Sequence, residues 1–245
     1  MHPNRAFAWE DQETALAFVA DTAFCTICVD GPFVAHAPVV VVAPDRLRFH
    51  LARGNRAAAA MEGKRAIASC LGPDAYISPD WYGTPDQVGT WNYLSVEAEG
   101  PLRRLDEAEL VALLDDLSAI HEARLAPKPP WTRAKMSPGR FEGMLKAIVG
   151  FEMTIEDVRG TRKLGQHKKE AEREGAAQGL APFHPEMAAL MSRSSPSLLG
   201  EGDRSAKPSG GGAARSEENG SGFASAAPPS GLRPATSPSK LREDL

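Results

Sequence analysis

Arg53, Asn55 and Arg56 stand together where the alternating run 46–52 (RLRFHLA) gives way to the alanine-rich run 56–61. Two guanidiniums and a carboxamide, at a strand end that opens a short helix, suit a phosphate. Guanidinium forks pair with its oxygens, and the unpaired N–H groups of a helix start favour anions. A surface turn with incidental charges has the same composition, so the pattern alone leaves both readings open. A second concentration lies in residues 74–100, where Tyr76, Trp81, Tyr82, Trp91 and Tyr93 are interleaved with Ser78, Thr90 and Asn92. Tyr and Trp have one apolar face and one hydrogen-bonding end, so they serve at the edge of a ligand site as well as in a core. Residues 80–86 (DWYGTPD) between them have the Gly, Pro and Asp content of a loop.

Other chemistries find less support. Cys25 and Cys28 form a C-x-x-C pair, but in a strand residues three apart face opposite ways, and Cys70 stands alone as a further thiol. We therefore expect structural cysteines and no metal. His36 and His50 fall on neighbouring strands without a third ligand at a telling spacing. No glycine-rich dinucleotide loop, P-loop, nucleophile elbow or H-E-x-x-H occurs, and no side chain reads as an obligatory acid, base or nucleophile.

The elements that would position these groups follow from pattern. A short helix over 11–20 with Asp11 as N-cap leads into strands 23–29 and 33–43, joined by the Asp30-Gly31 turn. Strand 46–52 comes next, then a short helix over 56–61 and strands 66–71, 75–78 and 90–96. Residues 106–124 form the clearest helix. Asp106 and Glu109 make a capping-box start, and Leu110, Leu113, Leu114, Leu117 and Ile120 form an apolar stripe. Ser137-Pro138 opens a helix to Lys146, residues 148–158 form a strand, and a charged helix follows 163–167. Closely spaced strands joined by tight turns predict an antiparallel barrel with flanking helices, an α+β arrangement that is mainly β.

The chain has 245 residues and a formal net charge of −4 with pI near 5.9, which argues against a generalised nucleic-acid-binding surface. No apolar run is long enough to span a membrane and no apolar signal core opens the chain, so we expect a cytoplasmic protein. From 192 to 245 Ser, Gly and Pro dominate and Phe223 is the one aromatic residue. Such a segment cannot bury enough apolar surface to offset the entropy of ordering, which predicts a folded domain over 1–191 and a disordered tail over 192–245.

Five blocks in order carry a family likeness. They are residues 50–55 (HLARGN), 75–82 (AYISPDWY), 90–93 (TWNY), 144–152 (MLKAIVGFE) and 163–166 (KLGQ), and they resemble the PaiB family of FMN-binding negative transcriptional regulators. The likeness runs over roughly residues 10–180. It implies an FMN-binding split barrel, a homodimer with flavin at the subunit boundary, and a regulator of transcription for which DNA is the implied partner. On that likeness Arg53 and Asn55, assisted by Arg56, would hold the phosphate. Thr90, Trp91 and Asn92 would border the flavin ring, with Lys163 and Gln166 closing the site from the same or the partner chain. The sequence departs from the family pattern at Gly89, Glu97 and Gly165-Gln166-His167. A flavin-dependent oxidoreductase and a degenerate barrel kept as an interaction module are the competing functions.

Overall fold

Strict alternation builds the sheet. β1 (Ala8–Trp9), β2 (Phe24–Val29), β3 (Phe33–Ala43) and β4 (Arg46–Ala52) are followed by β5 (Arg65–Ile77), β6 (Thr90–Arg104), β7 (Ile148–Thr154) and β8 (Asp157–Lys163). Along β2, β3 and β4 every second side chain points inward, burying Cys25, Ile27, Ala37, Val39, Leu47, Phe49 and Leu51. The structure, a computed structural model, describes residues 2–31 and 33–194.

All strand pairs are antiparallel, in the order β1-β8-β6-β5-β2-β3-β4-β7, and β7 pairs back onto β6. That last pairing closes a barrel of β6, β5, β2, β3, β4 and β7, and β8 and β1 continue from β6 outside the ring. β6 pairs with β5 from Thr90 to Pro101 but meets β7 only at Leu102, Arg103 and Arg104, the stagger that a closed barrel requires. The expected antiparallel barrel is thus present, and its wall follows from the pairing alone.

The helices pack around this wall. α1 (Gln12–Thr22) starts where the Asp11 carboxylate accepts from the amides of Glu13 and Thr14, and it turns Leu16 and Val19 inward. α2 (Ala58–Met61) is a single turn. α3 (Glu107–Ala123) has the predicted capping box and lays Leu110, Leu113 and Leu117 on Val40 and Leu105. α4 (Arg140–Leu145), α5 (Glu170–Leu180) and α6 (Pro185–Arg193) complete the order.

Several expectations need correction. Segments 66–71 and 75–78 are one strand, β5, whose pairing with β6 slips between Leu71 and Asp74. Pro73 sits in that slip, where its missing N–H takes nothing from the ladder. The single strand expected over 148–158 is two, β7 and β8, turning at Ile155-Glu156. Ile155 N donates there to Asp45 O (2.7 Å) and Glu156 N to Glu99 O (2.9 Å). The helix after Ser137 begins only at Arg140, because Gly139 takes φ +75° and breaks the run. Cys70 is not alone: its thiol meets that of Cys25, and this hydrogen bond together with burial pushes the Cys25 thiol up. α6 had no counterpart in the sequence reading. Of the tail expected over 192–245, Ser192 and Arg193 end α6, and residues 195–245 lie outside those described.

Candidate functional site

Arg53 leaves β4 beside the C-terminal end of α4, and its own amide donates to Ala147 O (2.8 Å). Its Nε donates to Lys146 O (3.0 Å) and one Nη to Ile148 O (2.9 Å). Two backbone carbonyls therefore fix the guanidinium plane while its remaining N–H groups point outward from an exposed residue. Asn55 acts locally, with Oδ1 accepting from Ala57 N (2.9 Å) to shape the turn into α2. Arg56 lies over the Phe33 ring at 5.3 Å. Arg53 lines a groove of about 270 Å³ together with Arg104 and Lys146, and Asp106, Glu107 and Glu142 line it as well. Asp106 is committed to the α3 cap.

The remaining predicted residues gather elsewhere. Lys163 Nζ donates to Thr90 Oγ1 at 2.6 Å, joining the last residue of β8 to the first of β6. Burial lowers the pKa of the Lys163 ammonium below the ordinary lysine value. Gln166 holds the following bend, accepting from Leu164 N (2.8 Å) and donating to Arg162 O. Trp91 projects from the outer face with Nε1 donating to Asp74 Oδ1 (2.9 Å), and its ring lies 6.2 Å from that of Tyr76.

Asn92 points the opposite way and is fully buried, with neither amide atom partnered. It lies beside Gly165 and the aliphatic stem of Arg173, because a Cβ on Gly165 would meet both, Arg173 Cγ at 3.6 Å and Asn92 Nδ2 at 3.9 Å. Gly165 has φ +83°, a backbone that favours glycine, at one of the positions where the sequence departs from the family pattern.

Arg173 was missed by the sequence reading. It is 1% exposed in a helix that read as a charged surface, and its Nε and one Nη have no partner. The available signal was the small-residue face of α5, since a Cβ on Gly175 or Gly179 would strike Trp81 at 2.6 or 2.4 Å. That face lets the helix sit directly on the aromatic loop. Thr84 and Gln87 fasten the same loop to Glu172 (3.1 Å) and Lys168 (2.5 Å).

The predicted residues thus form two groups. Arg104 lines the Arg53 groove and ends β6, whereas Thr90, Trp91 and Asn92 begin it. A strand of 15 residues advances about 3.3 Å per residue, so roughly 45 Å of β6 separates the groups along the chain.

Residues 1–157 match the family described as “Putative FMN-binding domain”. The chain belongs to this FMN-binding family. It is 29% identical over 179 residues to the Bacillus subtilis (strain 168) Protease synthase and sporulation protein PAI 2, covering 70% of this chain and 85% of that protein. The PaiB resemblance read from the sequence blocks therefore stands. Among solved structures it is similar to the FAD and heme binding protein from Mycobacterium smegmatis, with 19% identity, 61% of this chain and 70% of that chain covered, and TM-score 0.46. The flavocytochrome Anf3 from Azotobacter vinelandii gives 21%, 66%, 72% and 0.45. The barrel assignment rests on strand pairing rather than on these two likenesses.

The cofactor of the FMN-binding family is FMN, as expected from the sequence. The residues present fit its two ends. A phosphate needs a fixed cationic donor, which Arg53 supplies through its two carbonyl contacts in a groove that Lys146 and Arg104 also line. A flavin ring needs an exposed flat surface with nearby donors, which Trp91 and the Thr90–Lys163 pair supply.

Proposed function

We propose that two copies of this chain hold FMN at their boundary, with the phosphate on Arg53 of one copy and the ring against Thr90, Trp91, Lys163 and Gln166 of the other. The observation that carries this reading is the separation of the two groups at opposite ends of β6, which leaves each copy with half of a site at each end. The outer face of β2, β3, β5 and β6 is the surface on which copies would pair. Phe24, Val34, Leu71, Tyr76 and Trp91 all lie on it and are 50–58% exposed, an apolar patch that a monomer in water has reason to cover.

In that arrangement Arg53 fixes the phosphate through donors already aligned by the Lys146 and Ile148 carbonyls. Asn55 shapes the turn that presents Arg53, and Arg56 adds positive potential while resting on Phe33. Asn92 and Arg173 sit beneath the ring-side surface and position the Thr90 end of β6 from within. Bound FMN would supply redox chemistry, while the protein sets its orientation and electrostatic surroundings.

The biological role we propose is regulatory, in keeping with the similar Bacillus subtilis protein, whose name concerns protease synthesis and sporulation. Supporting it, Lys163 and Gln166 are both committed to hydrogen bonds that build the site. A flavin-dependent oxidoreductase is the second reading. The lowered ammonium pKa of Lys163 favours it, because a proton held less tightly beside a flavin ring is more readily given up. A cytoplasmic location belongs with either role, and among the described residues no helix is long and apolar enough to cross a membrane.

The test is sedimentation with FMN titration. Wild type should be a dimer binding one FMN per chain, and Leu71→Glu should give a folded monomer that binds FMN at least about tenfold more weakly. A monomeric wild type with a full complement of flavin would remove the shared site.

A further inference from the structure

Beside the part of α3 that packs on the barrel, α3, α4 and the segment 124–139 between them border a cavity of about 510 Å³ that is partly open to solvent. Its floor is the barrel, with Pro38 on β3, His50 on β4 and Ile148 on β7; Leu114 and Leu117 of α3 and Phe141 of α4 form apolar walls. The covering segment is fastened at several points. Trp131 N donates to Glu122 Oε2 (2.8 Å), and Arg133 Nε pairs with Asp115 Oδ1 (2.9 Å). The same guanidinium lies 5.2 Å from the centre of the Phe141 ring.

These contacts use up the charges in the lining. Arg133 neutralises Asp115, and Glu122 is paired with Lys128 just outside. The hydrogen-bonding groups left over are two imidazoles and a hydroxyl. His50, Ser118 and His121 line the cavity and make no side-chain hydrogen bond among the described residues, and His50 Nδ1 is buried without a partner. Burial lowers the His50 pKa below the ordinary histidine value, which keeps its ring neutral at neutral pH. Two large apolar side chains at the cavity, Trp131 and Met144, remain 40% and 56% exposed.

We propose that this cavity is a binding site for a neutral, mainly apolar small molecule carrying a hydroxyl, carbonyl or amide group that meets His50, Ser118 or His121. Its volume is that of a small-ligand site, and its lining has the matching composition of an apolar body with a few convergent polar groups. An ion of either sign would find no unpaired opposite charge in it and would lose its hydration on entry. The cavity is not the groove of Arg53: Leu145 and Ile148 form the partition and line both. A ligand here and FMN at the copy boundary therefore occupy different volumes.

The test uses the full chain without flavin, so it stands apart from the FMN reading. The probe is N-phenylnaphthylamine, a neutral aryl amine whose emission rises on leaving water. One saturable site per chain is expected. Ser118→Phe, which projects a ring into the cavity, and Met144→Trp, at an exposed position, should each weaken the probe by at least about tenfold with unchanged melting. If Ser118→Phe fails to fold, Met144→Trp decides. Anilinonaphthalene sulfonate, similar in shape but anionic, should bind at least about tenfold more weakly than the amine. FMN added at saturation should leave the amine bound. Unsaturable binding, undiminished binding in folded Met144→Trp, equal affinity for the sulfonate, or one-for-one displacement by FMN would each overturn the proposal.

Discussion

Lys163 closes β8 onto the start of β6 by donating to Thr90 Oγ1 at 2.6 Å. The same strand end lies opposite Tyr93, so one lysine sets both the register of the outermost full strand and the position of the residue that begins the aromatic segment. This contact belongs to the ring side of the proposed site, far along β6 from Arg53. Lys163→Met, which keeps the apolar stem, should weaken FMN and riboflavin alike, by about 1–1.5 kcal/mol or roughly tenfold. Fluorescence titration with both flavins reads this directly. A loss confined to FMN would move Lys163 to the phosphate side.

Barrel closure imposes a packing limit at Gly100. A Cβ there would lie 1.7 Å from the carbonyl oxygen of Thr154, a backbone atom with no freedom to retreat. Gly100→Ala should therefore destabilise the fold by about 3 kcal/mol or more, as in a severely overpacked core. Gly54→Ala is the control, because nothing lies within 4 Å of its added methyl. Thermal melts should separate the two variants clearly, and equal melts would mean that β6 and β7 are not closed as described.

Glu109 predicts the acid limb of stability. Its carboxylate takes both Nη groups of Arg103 (2.6 and 2.8 Å) and the Asp106 amide (3.1 Å), which lowers its pKa from 4.5 to about 2. A carboxyl depressed on folding binds fewer protons in the folded than in the unfolded chain between those values. Its contribution is complete above about pH 4.5 and is lost as pH falls towards 2. Glu109→Gln should cost about 1 kcal/mol at neutral pH, the size of a lost cap, and should flatten the stability profile between pH 4.5 and 2. Urea melts across that range give the slope, and an unchanged slope would place the acid sensitivity elsewhere.

How much was legible in the sequence depended on range. Elements defined by neighbours along the chain were readable: the Asp106–Glu109 cap, the alternation of 46–52 and the Asp30-Gly31 turn all appear as expected. Features set by distant partners were not. A run such as IVGFEMTIEDV is apolar enough to be one strand, and only Asp45 and Glu99 capturing the amides of Ile155 and Glu156 divide it. Arg173 reads as surface charge because burial of a guanidinium depends on what α5 lies against, here Trp81 and Asn92. Arg53, Asn55 and Arg56 and the aromatic stretch stood out by residue type and spacing, and the family blocks added Lys163 and Gln166. Their division between two ends of one strand required the three-dimensional register.

The central claim is that Arg53 is the phosphate ligand. Its guanidinium is already oriented by the carbonyls of Lys146 and Ile148 and has donors to spare. A charge-assisted hydrogen bond contributes about 1.5–3 kcal/mol, and at about 1.4 kcal/mol per decade its loss raises a dissociation constant by roughly one to two orders of magnitude. The decisive measurement is flavin-fluorescence titration of wild type and Arg53→Ala with FMN and with riboflavin, which lacks the phosphate, alongside a thermal melt without flavin. The account predicts that Arg53→Ala loses FMN affinity by that factor, binds riboflavin as wild type does, and melts as wild type does. Unchanged FMN affinity with an intact melt, or an equal loss for both flavins, would contradict it.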